Sequence, residues 1–407
     1  MNKTIKLAVA GAVLSAASMA NAGIIIPAGE WTLDVNGNVN MYVSRTSTDD
    51  ANTVAGGLAS TNEAVTGEDE AYSLGTGLLP AWLGFTGTTR QNDLDVSFTI
   101  SFQPNASDNQ SSGMGDTATP LNRQAFLTFG DASWGSVKVG KDLGIFAGDA
   151  ILNDMTLLGV GAGGSRSGGP TTLGGIGTGY IYPAWKGQIA YTTPNMNGFQ
   201  ATFGITNPQQ GTNTVVADPI AGLAVETPNA TNQERYGFEA KASYALNLGS
   251  TTGKVWVSGI SNEVSIGAVD HDVTVMDIGI NLNSGNAGLT AYYYSGEGAG
   301  LTTNVNGASG ANAAGVERDS DGGYVQGTYV IPTGTKLGVA YGRSSLDKIN
   351  AADTAILDQN ERWTVGAYHP LTKHLNLVAE FNSVESKDHQ GDKAESDSIS
   401  LGAILFF

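Results

Sequence analysis

Few residues in this chain are placed to do covalent chemistry. It has no cysteine and four histidines in 407 residues. His369 and His374 flank a turn signal at Pro370–Lys373, and no third ligand is spaced to complete a zinc site. His271 and His389 fall in or beside loop signals. No serine, histidine and acid are spaced as a nucleophilic triad. Two glycine patterns resemble phosphate cradles. Gly159-Val160-Gly161-Ala162-Gly163-Gly164 fits GxGxxG, but it neither follows a strand nor opens a helix in a βαβ unit. Gly135 to Lys141 fits GxxxxGK, but Asp142 stands where the magnesium-binding Ser or Thr belongs. Acid runs such as Glu68-Asp69-Glu70 and Asp319-Ser320-Asp321 read as solvated loop charge, not as calcium sites. The residues therefore imply no enzyme, no cofactor and no metal. Whatever the charged side chains do, they do by electrostatics.

The elements that must position them have a period of two almost throughout. Leu33, Val35, Val39, Met41 and Val43 oppose Asp34, Asn36, Asn38 and Asn40. Val96, Phe98, Ile100 and Phe102 oppose Asp95, Ser97, Thr99 and Ser101. Tyr236, Phe238, Ala240, Ala242 and Tyr244 oppose Arg235, Glu239, Lys241 and Ser243, and Leu375, Leu377, Ala379 and Phe381 oppose Asn376 and Glu380. Alternate side chains of a strand point to opposite faces, so each segment has one apolar and one strongly polar face. Rows of Asp, Asn, Glu and Lys cannot be buried without partners, so the polar faces must meet water. The segments are about 10 residues long, enough for a tilted strand to cross a bilayer. The final stretch, Asp397 to Phe407, is apolar at Ile399, Leu401, Ala403, Leu405 and Phe407. An amphipathic last strand ending in Phe is the assembly signal of bacterial outer-membrane barrels.

The connections favour a membrane barrel over a soluble sandwich. Short turn signals lie near Arg90–Asp93, Asp131–Ser133, Pro194–Gly198, Asn247–Gly253, Asn283–Asn286, Pro332–Thr335 and Pro370–Lys373. Between them fall long loops near 46–77, 104–121, 142–178, 208–232, 265–272, 298–318, 347–359 and 386–396. Seven turns and eight loops join sixteen antiparallel strands, with short periplasmic turns and long outer loops. Closure also removes the sheet edges that an open sheet exposes. Trp82, Trp134, Trp185, Tyr191, Tyr293, Tyr329, Trp363, Phe406 and Phe407 fall near strand ends, where aromatic girdles meet lipid headgroups.

Lys3 and Lys6, the apolar run Leu7 to Ala20 and Ala20-Asn21-Ala22 read as a signal peptide over residues 1–22, followed by one barrel domain over 23–407. Removing the two lysines of that segment, which has no acid, takes the net charge from −18 to −20. An acidic chain poor in Lys and Arg is not a nucleic-acid binder.

AWLGFTG at Ala81 to Gly87, NRQAFLTFG at Asn122 to Gly130, WGSVKVGK at Trp134 to Lys141 and GQIAYTTPNMNGF at Gly187 to Phe199 occur in that order before the terminal Phe. With sixteen strands, the chain resembles the Gram-negative general porins over nearly all of its mature length. The resemblance implies a homotrimer in the outer membrane, in contact with lipid and lipopolysaccharide and inserted by the barrel-assembly machinery. It implies passive passage of small hydrophilic solutes and ions. It also implies that the third loop, about 142–178, folds into the lumen as a constriction. Arg123 matches a wall arginine and Asp154 a loop acid, with Asp149 on the same loop. Lys138 and Lys141 are further candidates, Lys141 standing where the family often has an arginine and alternatively at a subunit interface. Trp82 replaces another wall arginine, and Leu158 falls where a second loop acid is expected. With few wall bases and a net charge of −20, mild cation preference is expected. The alternative is a channel selective for sugars or aromatic acids, with Trp82 or tyrosines as a slide. A barrel adhesin or an outer-membrane hydrolase is the reading from other classes.

Overall fold

The computed structural model describes residues 23–407 except 50–51, 61, 105, 107–120, 164–170, 209–214, 218–223, 227–233, 267–268, 303–309, 313, 352 and 355. The expected signal segment lies outside the described residues. In chain order the strands of the wall are β1 (Trp31–Thr48), β2 (Trp82–Gln91), β3 (Leu94–Gln103), β4 (Leu121–Asp131), β5 (Gly135–Leu143), β6 (Trp185–Thr192), β7 (Phe199–Thr206) and β8 (Gly237–Leu248). They continue as β9 (Thr251–Ile266), β10 (Val269–Ser284), β11 (Ala287–Glu297), β12 (Asp319–Val330), β13 (Lys336–Leu346), β14 (Leu357–Pro370), β15 (Leu375–Asp388) and β16 (Lys393–Phe406). Each is antiparallel to the next, and β16 returns to pair with β1 from Phe406 opposite Asn38 to Ser396 opposite Thr48. The sheet is therefore a closed sixteen-stranded barrel.

Alternation sets the two faces as the sequence implies. Val39, Val43, Ile399 and Leu401 are exposed on the outside, while Asn38, Asn40, Ser398 and Ser400 are buried inside. Outward exposure of rows of Val, Ile, Leu and Phe is what a wall in contact with lipid requires. The upper half of the second strand is a separate piece, Glu70–Gly75, which pairs with Tyr42–Ser47 above β2. Residues 76–81 between the two pieces leave the wall, and Thr76, Leu78 and Ala81 are buried within the barrel.

All seven expected short turns occur. Two of the expected outer loops are instead strand. β9 and β10 pair to Ile266 opposite Val269, and β15 and β16 pair to Lys387 opposite Lys393. Beyond the apolar belt a strand's outer face no longer needs apolar residues. Alternation stops there while the hydrogen-bond ladder continues, held in part by the Lys393–Glu385 ion pair at 2.8 Å. The aromatic reading is also divided. Trp134, Tyr293, Tyr329 and Trp363 are exposed outward, but Phe406 is buried and Trp82 and Trp185 line the interior. The phase of the strand, not its end, decides which way each ring points.

The seam between the last strand and the first ends on two backbone bonds. The Gly37 N–H donates to the Phe407 carbonyl at 2.8 Å, and the Phe407 N–H donates to the Gly37 carbonyl at 3.0 Å. Phe407→Ala leaves both intact and removes only the ring. It is expected to lower the amount of heat-resistant assembled barrel in isolated membranes, read by gel mobility with and without boiling. A normal yield would remove Phe407 from the assembly signal.

Candidate functional site: an inward loop and the passage it leaves

After Leu143 the chain turns into the barrel and does not rejoin the wall until Trp185. A loop inside a barrel must find partners for its own N–H and C=O groups, and the wall supplies them. Glu239 of β8 accepts the N–H groups of Ile145 and Phe146 at 2.7 and 2.9 Å, and its other oxygen pairs with Lys186 of β6. Asp277 of β10 accepts the Ala147 N–H at 3.2 Å. A one-turn helix follows, Gly148–Leu152, and the Tyr324 hydroxyl of β12 donates to its Ala150 carbonyl at 2.8 Å. Gln326 of β12 accepts the Met155 N–H at 2.9 Å and donates to the Asn153 carbonyl at 2.7 Å.

The glycine pattern that resembles a dinucleotide cradle acts here as an anion nest for a fixed carboxylate. Val160 and Gly161 donate successive N–H groups to one oxygen of Glu380 of β15, at 2.8 and 2.9 Å. Consecutive N–H groups form a concave donor pair whether the anion is a phosphate or a side chain. A Cβ at Gly159 would lie 1.9 Å from a Glu380 oxygen, so glycine is needed for this approach. Gly161, at φ +61°, crosses Gly174 so closely that a Cβ on Gly161 would meet its Cα at 2.4 Å.

Apolar packing finishes the anchoring. Phe146, Ile151, Leu157, Tyr180 and Ile181 of the loop pack with Trp256, Val264, Val273, Tyr292 and Tyr324 of the wall. The loop therefore lies against β8 to β15. On its other side, against β1 to β4, the described residues leave a cavity of about 460 Å³. Asn38, Trp82, Ser101, Gln103, Arg123 and Gln124 form the wall of this passage. Leu152, Leu157, Leu173, Ile176 and Tyr182 form its loop side, with Leu78 and Leu79 of the inturned segment.

The candidate charges are distributed unevenly over this geometry. Arg123 and Trp82 face the passage. Arg123 is there because of a β-bulge. Ser101 opposes Gln124 and Phe102 opposes Asn122, so Arg123 is the extra residue of β4. Its odd-numbered neighbour Leu127 faces outward, and the bulge turns Arg123 away from that side. Its Nε donates to Gln103 at 2.6 Å, and among the described residues no carboxylate pairs with it.

Asp149 and Asp154 are on the loop, but both face its anchored side. Asp149 pairs with Lys241 of β8 at 2.9 Å and with Lys254 of β9. Burial alone would raise its carboxyl, and the two ammonium groups outweigh burial and hold it below the usual carboxylate range. Asp154 accepts from Thr156 N–H, Gly175 N–H and the Tyr180 hydroxyl at 2.8–2.9 Å, with Arg362 of β14 at 4.0 Å. Lys138 is inside but pairs with the buried Asp142, which also accepts from Gln124 at 2.9 Å. Lys141 is exposed, and it donates to the Asn122 carbonyl at 3.0 Å. On β5 it alternates with the inward Lys138 and Asp142, so it points out of the barrel.

The residues the sequence did not single out are the anchors: Asp277, Glu380, Gln326, Lys241, Lys254 and Arg362. Several were visible as polar positions on inward faces, but nothing local says which polar residue meets the loop. Among the described residues no three or more His, Asp or Glu groups form a metal-binding cluster.

The family model of the Gram-negative porins matches residues 7–389. The chain belongs to the Gram-negative porin family. It is an outer-membrane channel by that membership and by its barrel. No curated protein matches its sequence significantly. The fold is similar to an anion-selective porin from Comamonas acidovorans, at 16% identity and TM-score 0.61, covering 93% of this chain and 100% of that one. It is also similar to the outer-membrane channel DcaP of Acinetobacter baumannii, at 15% identity and TM-score 0.65, covering 95% and 100%. A third is the in-vitro folded trimer form of OmpT, an outer-membrane protein of Vibrio cholerae, at 15% identity and TM-score 0.55, covering 93% and 99%. At these identities the likeness is one of fold.

Opening one buried ion pair tests the anchoring. Glu239→Gln leaves Lys186 buried without its counter-charge, which costs about 3–5 kcal/mol. The urea midpoint of the detergent-solubilised porin, followed by tryptophan fluorescence, should fall accordingly. Adding Lys186→Met should recover most of the loss, because no buried charge is then left alone. An unchanged midpoint for Glu239→Gln would show that this pair does not hold the loop.

Proposed function

We propose that this porin is a passive diffusion channel for small solutes and ions, working as a homotrimer without a cofactor. One observation carries the reading: the inward loop is bound to one side of a closed barrel and leaves a cavity along the other. Family membership and the fold favour a channel over a hydrolase or an adhesin. The trimer form of the Vibrio neighbour supports the oligomeric state. The apolar outer belt suits contact with lipid and lipopolysaccharide, and the terminal strand suits delivery by the barrel-assembly machinery after export by the signal segment.

Ion preference follows from which charges are left uncompensated. The net charge of −18 and the acids of the outer loops support mild cation preference at the mouths. Inside the passage the loop acids are paired away, and Arg123 opposes it. The lining of leucines, Trp82, Trp185 and Tyr182 also supports the second reading, a channel with solute preference.

Planar-bilayer recording tests both levels. Conductance should arrive in groups of three equal steps and rise linearly with voltage. A barrel that inserts without conducting would refute the channel reading. Arg123→Gln should shift the zero-current potential in a KCl gradient toward potassium. An unchanged potential would show that Arg123 stands outside the ion path.

A further inference from the structure

The passage has an unusual chemistry for a water-filled route. Its loop side is mostly apolar, made by Leu152, Leu157, Leu173 and Ile176 with Leu78 and Leu79, beside Thr171, Thr172 and Tyr182. Its wall side is polar, with Ser101, Gln103 and Gln124, and among the described residues its one cation is Arg123. A volume of about 460 Å³ lies in the range of pockets that enclose small organic ligands. We infer that this cavity is a binding station for monocarboxylates with an apolar body, such as aromatic or short branched acyl acids. The inference rests on the channel reading and names the solute class of the same passage.

The selection follows from what each solute would lose and gain. A carboxylate gains charge-assisted bonds from a guanidinium that Gln103 holds at Nε and the Tyr182 hydroxyl contacts, leaving further N–H donors for it. Its apolar body then leaves water for a leucine surface, at about 25 cal/mol for each Å² removed. A sugar would turn more hydroxyls toward those leucines than Thr171, Thr172 and Tyr182 can partner. A dicarboxylate would satisfy one charge and strand the other, because among the described residues Arg123 is the only basic group lining the cavity. An organic cation would meet the guanidinium directly. Lys138, Lys241 and Lys254 do not alter this, since each is paired with Asp142 or Asp149. The two tryptophans of the lining, Trp82 and Trp185, give the site an optical signal of its own.

Benzoate is the probe. Added to trimers conducting KCl in a planar bilayer, it should reduce the current saturably. Succinate and glucose at equal concentration should reduce it much less. Arg123→Gln should raise the half-blocking concentration of benzoate roughly tenfold or more, the loss of a charged hydrogen bond. Leu157→Asn should raise it too while keeping the charge. Lys141→Gln, on the outer face, should leave it unchanged. Benzoate should also quench tryptophan fluorescence of the detergent-solubilised trimer, and Arg123→Gln should weaken that titration in parallel. Normal KCl conductance with no saturable benzoate block would overturn the inference and leave the channel reading standing. Stronger block by glucose or succinate than by benzoate would also overturn it. Inserted barrels that carry no current would overturn the channel reading and this inference with it.

Discussion

The constraint on which the structure depends is that a segment drawn into a barrel must satisfy its own backbone. Water can serve some of these groups, but a loop packed against the wall has lost water on that side. Glu239, Asp277 and Glu380 answer this with carboxylate oxygens that accept five loop N–H bonds from Ile145, Phe146, Ala147, Val160 and Gly161. A carboxylate accepts several donors at once, which a neutral amide or hydroxyl does less well. Each wall acid then needs compensation. Lys186 supplies it for Glu239, whereas Asp277 and Glu380 are held by tyrosine hydroxyls, those of Tyr292 at 3.1 Å and Tyr368 at 2.7 Å. Loop position and lumen electrostatics are thus set by one arrangement.

That arrangement makes the lumen asymmetric. Acids and bases concentrate on the β8 to β15 side, where they pair with one another or with backbone. The paired groups produce short-range attraction and little field beyond it, while Lys336 of β13 lies over the Tyr368 ring at 4.8 Å. Among the described residues the β1 to β4 side has few charges, and the bulge adds Arg123 to it. Among the described residues this guanidinium has no carboxylate partner, and it projects a field that paired groups elsewhere do not cancel. Formal net charge is therefore a poor guide to the field a solute meets in this porin, since most of the acids near the loop are already engaged.

Most of the barrel was legible in the sequence because lipid contact imposes a local rule. Val39 and Ile399 must face out and Asn40 and Ser400 must face in, whatever lies across the lumen. The rule stops where the membrane stops, so Ile266–Val269 and Asp388–Lys393 read as loops although they close hairpins. Inside the barrel no such rule operates. Glu239 and Glu380 look like any inward polar residues, and their loop partners lie 93 to 94 and 219 to 220 positions away. Trp82 and Trp185 look like girdle residues because both stand at strand ends, and only their phase sends them inward. Strict alternation would have placed Arg123 outside; the resemblance to porins placed it on the wall, and the bulge explains how it gets there. Asp149 and Asp154 lie on the loop that turns inward, but their direction depends on Lys241, Lys254 and Arg362, which are distant in sequence.

A passage must bind its solutes weakly enough to release them. Arg123 is only partly buried, and one of its donors is held by Gln103, so it keeps contact with water and stays oriented. A fully buried guanidinium would demand a counter-anion and hold it, and a mobile one would not orient it. The apolar surface opposite adds attraction that is non-directional, so a solute can slide along it without breaking one bond before making another. Hydrogen bonds, ion pairs and apolar packing fix one side of the loop, and mostly apolar side chains line the route on the other. The division of labour between the two sides of one loop is what allows a narrow passage to discriminate by chemistry and still conduct.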